Sequence, residues 1–238
     1  MKSLQKLQEF LNNPAHKIYK IVDFDAEKDS LIQFDFTANN TELTTEILAE
    51  TTTFSSWVDE KLALNSARYG IGGYNEHRTI YSRSTHFDSD EEPRRLHLGI
   101  DIWGKAETPI YNFYDATVHS FKFNDNFGDY GATIILQYQL EDLTVYALYG
   151  HLSLASLSGL EVGQFIPAGE KFATFGIAAE NGYWPPHLHF QLMFDMQGKN
   201  GDYPGVCQFS KKENYLENCP DPSLILQHNF SSAMPKNN

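Results

Sequence analysis

The spacing of apolar residues changes character after the glycines at 70, 72 and 73. Before them it is partly helical: Leu4, Leu7, Phe10 and Leu11 recur three and four apart among Gln, Lys and Glu, which predicts a first helix over Leu4 to Leu11. Extended pieces are expected at Lys17 to Phe24 and Ser30 to Phe36, then helices at Glu42 to Ala49 and Trp57 to Arg68. Ser56 reads as the N-cap of the last of these, with Asp59 three residues on. Gly70, Gly72 and Gly73 then break the helical pattern. From Tyr74 onward short runs such as Ala132 to Tyr138 and Val145 to Tyr149 alternate with Gly, Asp and Asn clusters, the mark of antiparallel sheet. The expected organisation is a mixed α/β extension over residues 1–75, a mainly β domain over 76–230 and a frayed tail over 231–238.

Three blocks in the β-like part carry chemistry: His97-Leu98-Gly99-Ile100-Asp101, Tyr149-Gly150-His151-Leu152-Ser153 and Pro185-Pro186-His187-Leu188-His189-Phe190. Side chains alternate faces along a strand, so His97 pairs with Asp101 and His187 with His189. The opposite parity is apolar, Leu98, Ile100 and Ile102 in one block and Leu188, Phe190, Leu192 and Phe194 in the other. A helix would also join His97 to Asp101, but Gly99 and the β-branched neighbours favour a strand. Zinc takes imidazole nitrogen and carboxylate oxygen, and a catalytic site binds it through three protein ligands with the fourth position left for water. Five candidate groups exceed that need by two, and none of the blocks contains the cysteine usual in a closed structural site.

The blocks HLGID, YGHLS and PPHLHFQL are similar to the signature of the lysostaphin and LytM-type zinc metallopeptidases, which cut peptide cross-links in bacterial peptidoglycan. The likeness runs over about residues 95 to 195 in the family's order, and Ala106 to Tyr111, Gly159 to Gln164 and Ala168-Gly169 resemble its intervening segments. It implies a compact antiparallel two-sheet β domain, the duplicated hybrid motif of lysostaphin, with a groove floored by the sheet that carries the ligands. It also implies that His97, Asp101 and His189 hold Zn2+, while His151 and His187 orient or deprotonate the attacking water. A peptide or peptidoglycan-derived substrate follows from the same resemblance. Some family members have lost ligands and serve as non-catalytic activators, whereas all five positions are present in this chain.

Composition narrows the partners. The net charge is -13 with no Lys/Arg-rich run, so the electrostatic footprint of nucleic-acid binding is absent, and anionic membrane surfaces are poor partners too. Cys207 and Cys219 are the only cysteines, and two reduced thiols are expected rather than a disulfide clamp. The first eleven residues lack the apolar core and cleavage site of a secretory signal, and no apolar run reaches the ~18 residues of a membrane span. A cytoplasmic location is therefore expected, in tension with a target outside the inner membrane. Turnover of imported wall peptides, export by another route, a different peptide substrate or a shortened chain would each resolve it.

The remaining candidates have plainer readings. His16, His77, His86 and His228 lack a sequence partner, and His119, in the strand pattern Thr117 to Phe121, reads as a half-exposed sheet residue. Asn75, Glu76 and His77 read as turn residues, with an occluding metal ligand as the alternative. The acidic run Asp88 to Glu92 reads as a solvated loop, with a place at the groove's rim as the alternative. Tyr111, Tyr130, Tyr149, Tyr183 and Trp184 suit either a peptide groove or a core. Three function classes follow: a zinc endopeptidase, a non-catalytic peptidoglycan-binding or regulatory module, and a cupin-like metal protein. The wide separation of the HLGID and HLHF blocks fits the cupin arrangement poorly.

Overall fold

A computed structural model describes residues 2–88 and 91–230. Two residues of the acidic run, Ser89 and Asp90, and the tail 231–238 lie outside the described residues.

The chain runs α1 (Lys2–Asn12), β1 (Leu31–Phe34), α2 (Thr45–Ala49), α3 (Thr51–Leu64) and β2 (Tyr69–Gly72), followed by short 3-10 turns. It continues through β3 (Leu96–His97), β4 (Ile100–Trp103), β5 (Pro109–Tyr111), β6 (Ala116–Asn124), β7 (Gly131–Leu140) and β8 (Leu143–Leu152). The last elements are β9 (Phe165–Ile166), β10 (Lys171–Thr174), β11 (His187–Met193), β12 (Val206–Cys207), α4 (Lys212–Asn218) and α5 (Ser223–Phe230). Eight strands form one sheet in the order β1-β2-β4-β11-β8-β7-β6-β9, and β10-β5 and β12-β3 make two small sheets. Pairing is antiparallel apart from β1 on β2. The expected antiparallel β body is therefore present.

The apolar stripe of the third block behaves as its parity requires. Leu188, Phe190 and Leu192 enter the main core beside Ile100, Ile102, Ala147 and Tyr149, and α1 closes it with Leu7, Phe10 and Leu11. The opposite face is covered by an aromatic cluster in which Phe34, Phe36 and Phe54 surround Trp103. Segments upstream of residue 75 thus build part of the sheet and roof its functional face.

Several expected elements are displaced, each for a local reason. Lys17 to Phe24 forms no strand. Its backbone is held by separate bonds, from Tyr19 N–H to the Phe113 carbonyl and from the Ile21 and Val22 N–H groups to Asn229 Oδ1. Helix α3 starts at Thr51 rather than after Ser56, because Ser56 Oγ donates to the Thr52 carbonyl one turn back and does not cap. Helix α2 starts later than expected, at Thr45, where Thr44 caps the Ile47 N–H. The first block is not one strand: β3 belongs to the small sheet with β12, and β4 to the large one, with Leu98 and Gly99 turning between them. A Cβ on Gly99 would stand 2.7 Å from the His189 ring and 2.8 Å from the Phe190 carbonyl oxygen, so the corner needs glycine.

Among the described residues no helix is long and apolar enough to cross a membrane. Phe54, fully buried between Phe36, Trp103 and Trp184, ties the upstream helices to the sheet. Phe54→Ala is expected to lower the unfolding free energy in a urea titration by about 3–5 kcal/mol, and an unchanged midpoint would show that the helices do not stabilise the sheet.

Candidate metal centre

Register places the third block against the first. In the β11–β4 pair His189 lies opposite Asp101 and His187 opposite Trp103, so all four side chains share one face. His97 reaches the same point from β3 around the Gly99 corner. His151 arrives through a bulge: Ala132 faces Leu152 and Ile134 faces Tyr149, so two steps of β7 match three of β8. Its φ of 62° is a left-handed conformation that costs a non-glycine residue of order 1–3 kcal/mol. That strain turns the imidazole toward His187, with ring centroids 4.1 Å apart.

The five predicted side chains are therefore brought together, all of them buried. His97 Nε2 lies 3.0 Å from His189 Nδ1 and 3.2 Å from Asp101 Oδ1, and His189 Nδ1 lies 3.1 Å from the same oxygen. Hydrogen bonds fix which nitrogens carry protons. His97 Nδ1–H donates to the Gly73 carbonyl at 2.8 Å, leaving Nε2 as a bare lone pair. Gln191 Nε2 donates to the Pro204 carbonyl at 3.1 Å, so Oε1 must be the atom 2.9 Å from His189 Nε2. His189 therefore donates from Nε2 and leaves Nδ1 bare. Three lone-pair atoms converge with no proton among them.

Such a cluster is repulsive by itself and suits a cation. Tetrahedral zinc with bonds of about 2.0–2.2 Å sets its ligand atoms about 3.3 Å apart, so the donors fit it in both spacing and type. Among the described residues this trio is the one group of His, Cys, Asp or Glu close enough to share an ion.

His151 and His187 are held differently. His151 Nδ1–H donates to the Asn181 carbonyl and His187 Nδ1–H to the Pro185 carbonyl, both at 2.7 Å. Each keeps Nε2 free on a ring that lines a cavity of about 170 Å³ together with Asp101 and His189. His187 also stacks on Trp103, centroids 3.9 Å apart. Burial pushes His97 and His187 from the ordinary 6.5 down to about 4, and His151 well below 6.5. For Asp101 burial works the other way, but His97, the Arg78 guanidinium and hydrogen bonding outweigh it and hold the carboxyl well below 3.8. Neutral imidazoles thus face an ionised carboxylate near pH 7.

Sequence reasoning missed four supporting residues. Gln191 had a signal, since it shares the parity of His187 and His189. Asn181, whose side chain bonds the Gly176 and Trp184 backbone while its carbonyl holds His151, sits in the loop before β11. Trp103 shares Asp101's parity. Arg78, fully buried, had no sequence signal and meets Asp101 Oδ2 through Nη1.

The set-aside groups divide. His86 lines the cavity after all. His16 stacks on Phe10, His119 bonds Ser120 Oγ and His77 packs on Phe209. Glu76 is engaged by Arg78 Nε at 2.6 Å, and Asn75, Glu76 and His77 are not part of the ligand trio. Of the five aromatics Tyr130 and Trp184 line the cavity, Tyr149 and Tyr111 hydrogen-bond elsewhere, and Tyr183 is exposed against Phe127. Cys207 and Cys219 are buried and free of disulfide.

A lone-pair trio on a β-sheet floor, flanked by two neutral imidazoles in a cavity, is an arrangement of the metal-dependent hydrolase class. The segment that contains all five residues, 95–202, matches the model of peptidase family M23. No curated protein matches the chain. Similar solved structures include the catalytic domain of the antimicrobial peptidase lysostaphin from Staphylococcus simulans, 20% identical over 68% of this chain and 96% of that one, with a TM-score of 0.40. A solution structure of lysostaphin is 19% identical over 76% and 58% of the two chains, with a TM-score of 0.45. A zinc-containing peptidase from Vibrio cholerae is 24% identical with a TM-score of 0.33, and the match covers 41% of this chain but 27% of that one.

The depressed histidines make the metal-free protein sensitive to acid. The unfolded chain takes up protons on these rings below about 6.5, whereas folded His97 and His187 resist them until about 4. Thermal unfolding in chelator is expected to show a midpoint that falls steadily between those pH values, more shallowly in His187→Gln. A flat profile would contradict the burial assigned to the rings.

Proposed function

We propose that the chain is a zinc-dependent endopeptidase that hydrolyses peptide bonds in peptidoglycan cross-links or wall-derived peptides. The observation that carries this reading is the proton-free triangle of His97 Nε2, Asp101 Oδ1 and His189 Nδ1 beside two neutral imidazoles. His97, Asp101 and His189 would hold the ion. Zinc bound there supplies a Lewis acid and a water acidified toward neutrality.

The protein's own residues do the rest. His151 and His187 keep an Nε2 lone pair because each Nδ1–H is committed to a backbone carbonyl, so each accepts a proton at that one atom. Burial favours return of that proton to the leaving amine. Trp103 stacked on His187 and Asn181 beneath His151 hold the rings in place. Tyr130, at 5.6 Å from His151 and 5.2 Å from His189 between ring centroids, helps exclude water. Residues 1–75 act as a packing element that roofs this face, and 76–230 form the peptidase unit.

The test is to incubate zinc-replete protein with purified peptidoglycan and with soluble muropeptides and to read new termini by mass spectrometry, against a chelated control. Chelator-sensitive cleavage is expected. No product from either substrate would favour a binding or regulatory role. Within an active protein, His151→Ala and His187→Ala should each lower turnover by roughly 10²–10⁴-fold with zinc stoichiometry retained. His97→Ala and His189→Ala should lose the zinc itself, as read by inductively coupled plasma analysis.

A further inference from the structure

Arg78 is the most deeply buried cation among the described residues, and its guanidinium has no solvent to share its charge with. It is spread over four acceptors. Nη1 donates to Asp101 Oδ2 and, at 3.3 Å, to Tyr81 Oη; Nε donates to Glu76 Oε2 at 2.6 Å and Nη2 to the Gly73 carbonyl at 3.3 Å. Two of these partners are tied to the ligand trio, one as a member and one as a support. Asp101 offers its other oxygen, Oδ1, to the trio, and the Gly73 carbonyl is the acceptor that sets the His97 tautomer. The pocket for the guanidinium is built: a Cβ on Gly72 would stand 2.6 Å from Nη2, and the ring of Phe36, upstream of residue 75, lies 5.1 Å away across it.

We propose that Arg78 is a positioning residue of the metal centre, which occupies the second oxygen of Asp101 so that the carboxylate gives the ion a single oxygen, and which fixes the carbonyl that orients His97. The proposal rests on the zinc reading above. Glu76 balances the added charge, so the pair can stay buried. Residues that orient metal ligands from behind typically change affinity by roughly 10–100-fold when altered.

The decisive comparison is zinc affinity by chelator competition, together with the visible spectrum of the cobalt-substituted protein, for unaltered protein, Arg78→Lys and the neutral pair Glu76→Gln/Arg78→Gln. Folding is checked by circular dichroism. Lysine keeps the charge but cannot reach Asp101 and Gly73 at once, so both variants should bind zinc roughly 10–100-fold more weakly. Their cobalt spectra should weaken as the freed carboxylate raises the coordination number. Folded variants with unaltered affinity and spectrum would overturn the proposal. X-ray absorption of zinc-loaded unaltered protein supplies a test that needs no variant: one carboxylate oxygen on the metal supports the proposal, and a two-oxygen carboxylate refutes it even if neither variant folds. Failure of the unaltered protein to bind zinc would instead remove the metal centre itself, and this inference with it.

Discussion

The structure depends on holding three lone-pair donors at close range and aimed at one point. His97 Nε2, Asp101 Oδ1 and His189 Nδ1 stand 3.0–3.2 Å apart only because each is pinned from behind. Gly73, Gln191 and Arg78 provide the pins. None of the three donors could relax without breaking a buried hydrogen bond, which costs about 1–3 kcal/mol for each group left unsatisfied. The scaffold therefore fixes both the spacing and the orientation of the three donors.

The sheet supplies the rigidity this needs. β11 lies between β4 and β8, so His189 is fixed from both sides by Asp101 and Gly150. The helical and aromatic material upstream of residue 75 presses on the same face through Phe36, Phe54 and Trp103. Trp103 belongs to both systems: it is a core ring of that cluster and the platform on which His187 stacks. Packing and the site share one side chain there, so a change in the aromatic roof reaches the His187 imidazole directly.

Backbone strain is concentrated beside the same site. His151 sits in a left-handed conformation at a β-bulge, and Tyr183, also left-handed, lies two residues beyond Asn181, whose carbonyl accepts the His151 Nδ1–H hydrogen bond. A regular strand would alternate His151 with its neighbours and could not aim it at His187. The extra residue in β8 makes that direction accessible.

The sequence by itself determined that His187 and His189 share one face, because even spacing on an extended backbone does this whatever surrounds them, and the likeness of the three blocks to a known signature added His97, Asp101 and His151. It also determined the antiparallel β body, since apolar alternation opposite those residues leaves one buried face. Tertiary structure decided what spacing cannot encode. His97 joins Asp101 across a corner between two sheets, not along one strand, because Gly99 lets the chain pass against the His189 ring. Arg78 and Asn181 act from segments with no regular period; Arg78 meets Asp101 across 23 residues of chain and Asn181 holds His151 through a backbone carbonyl that every residue possesses, so no pattern of residue types announces them. The tautomer of each histidine was settled in the same way, by which carbonyl or amide oxygen the fold happened to bring within reach.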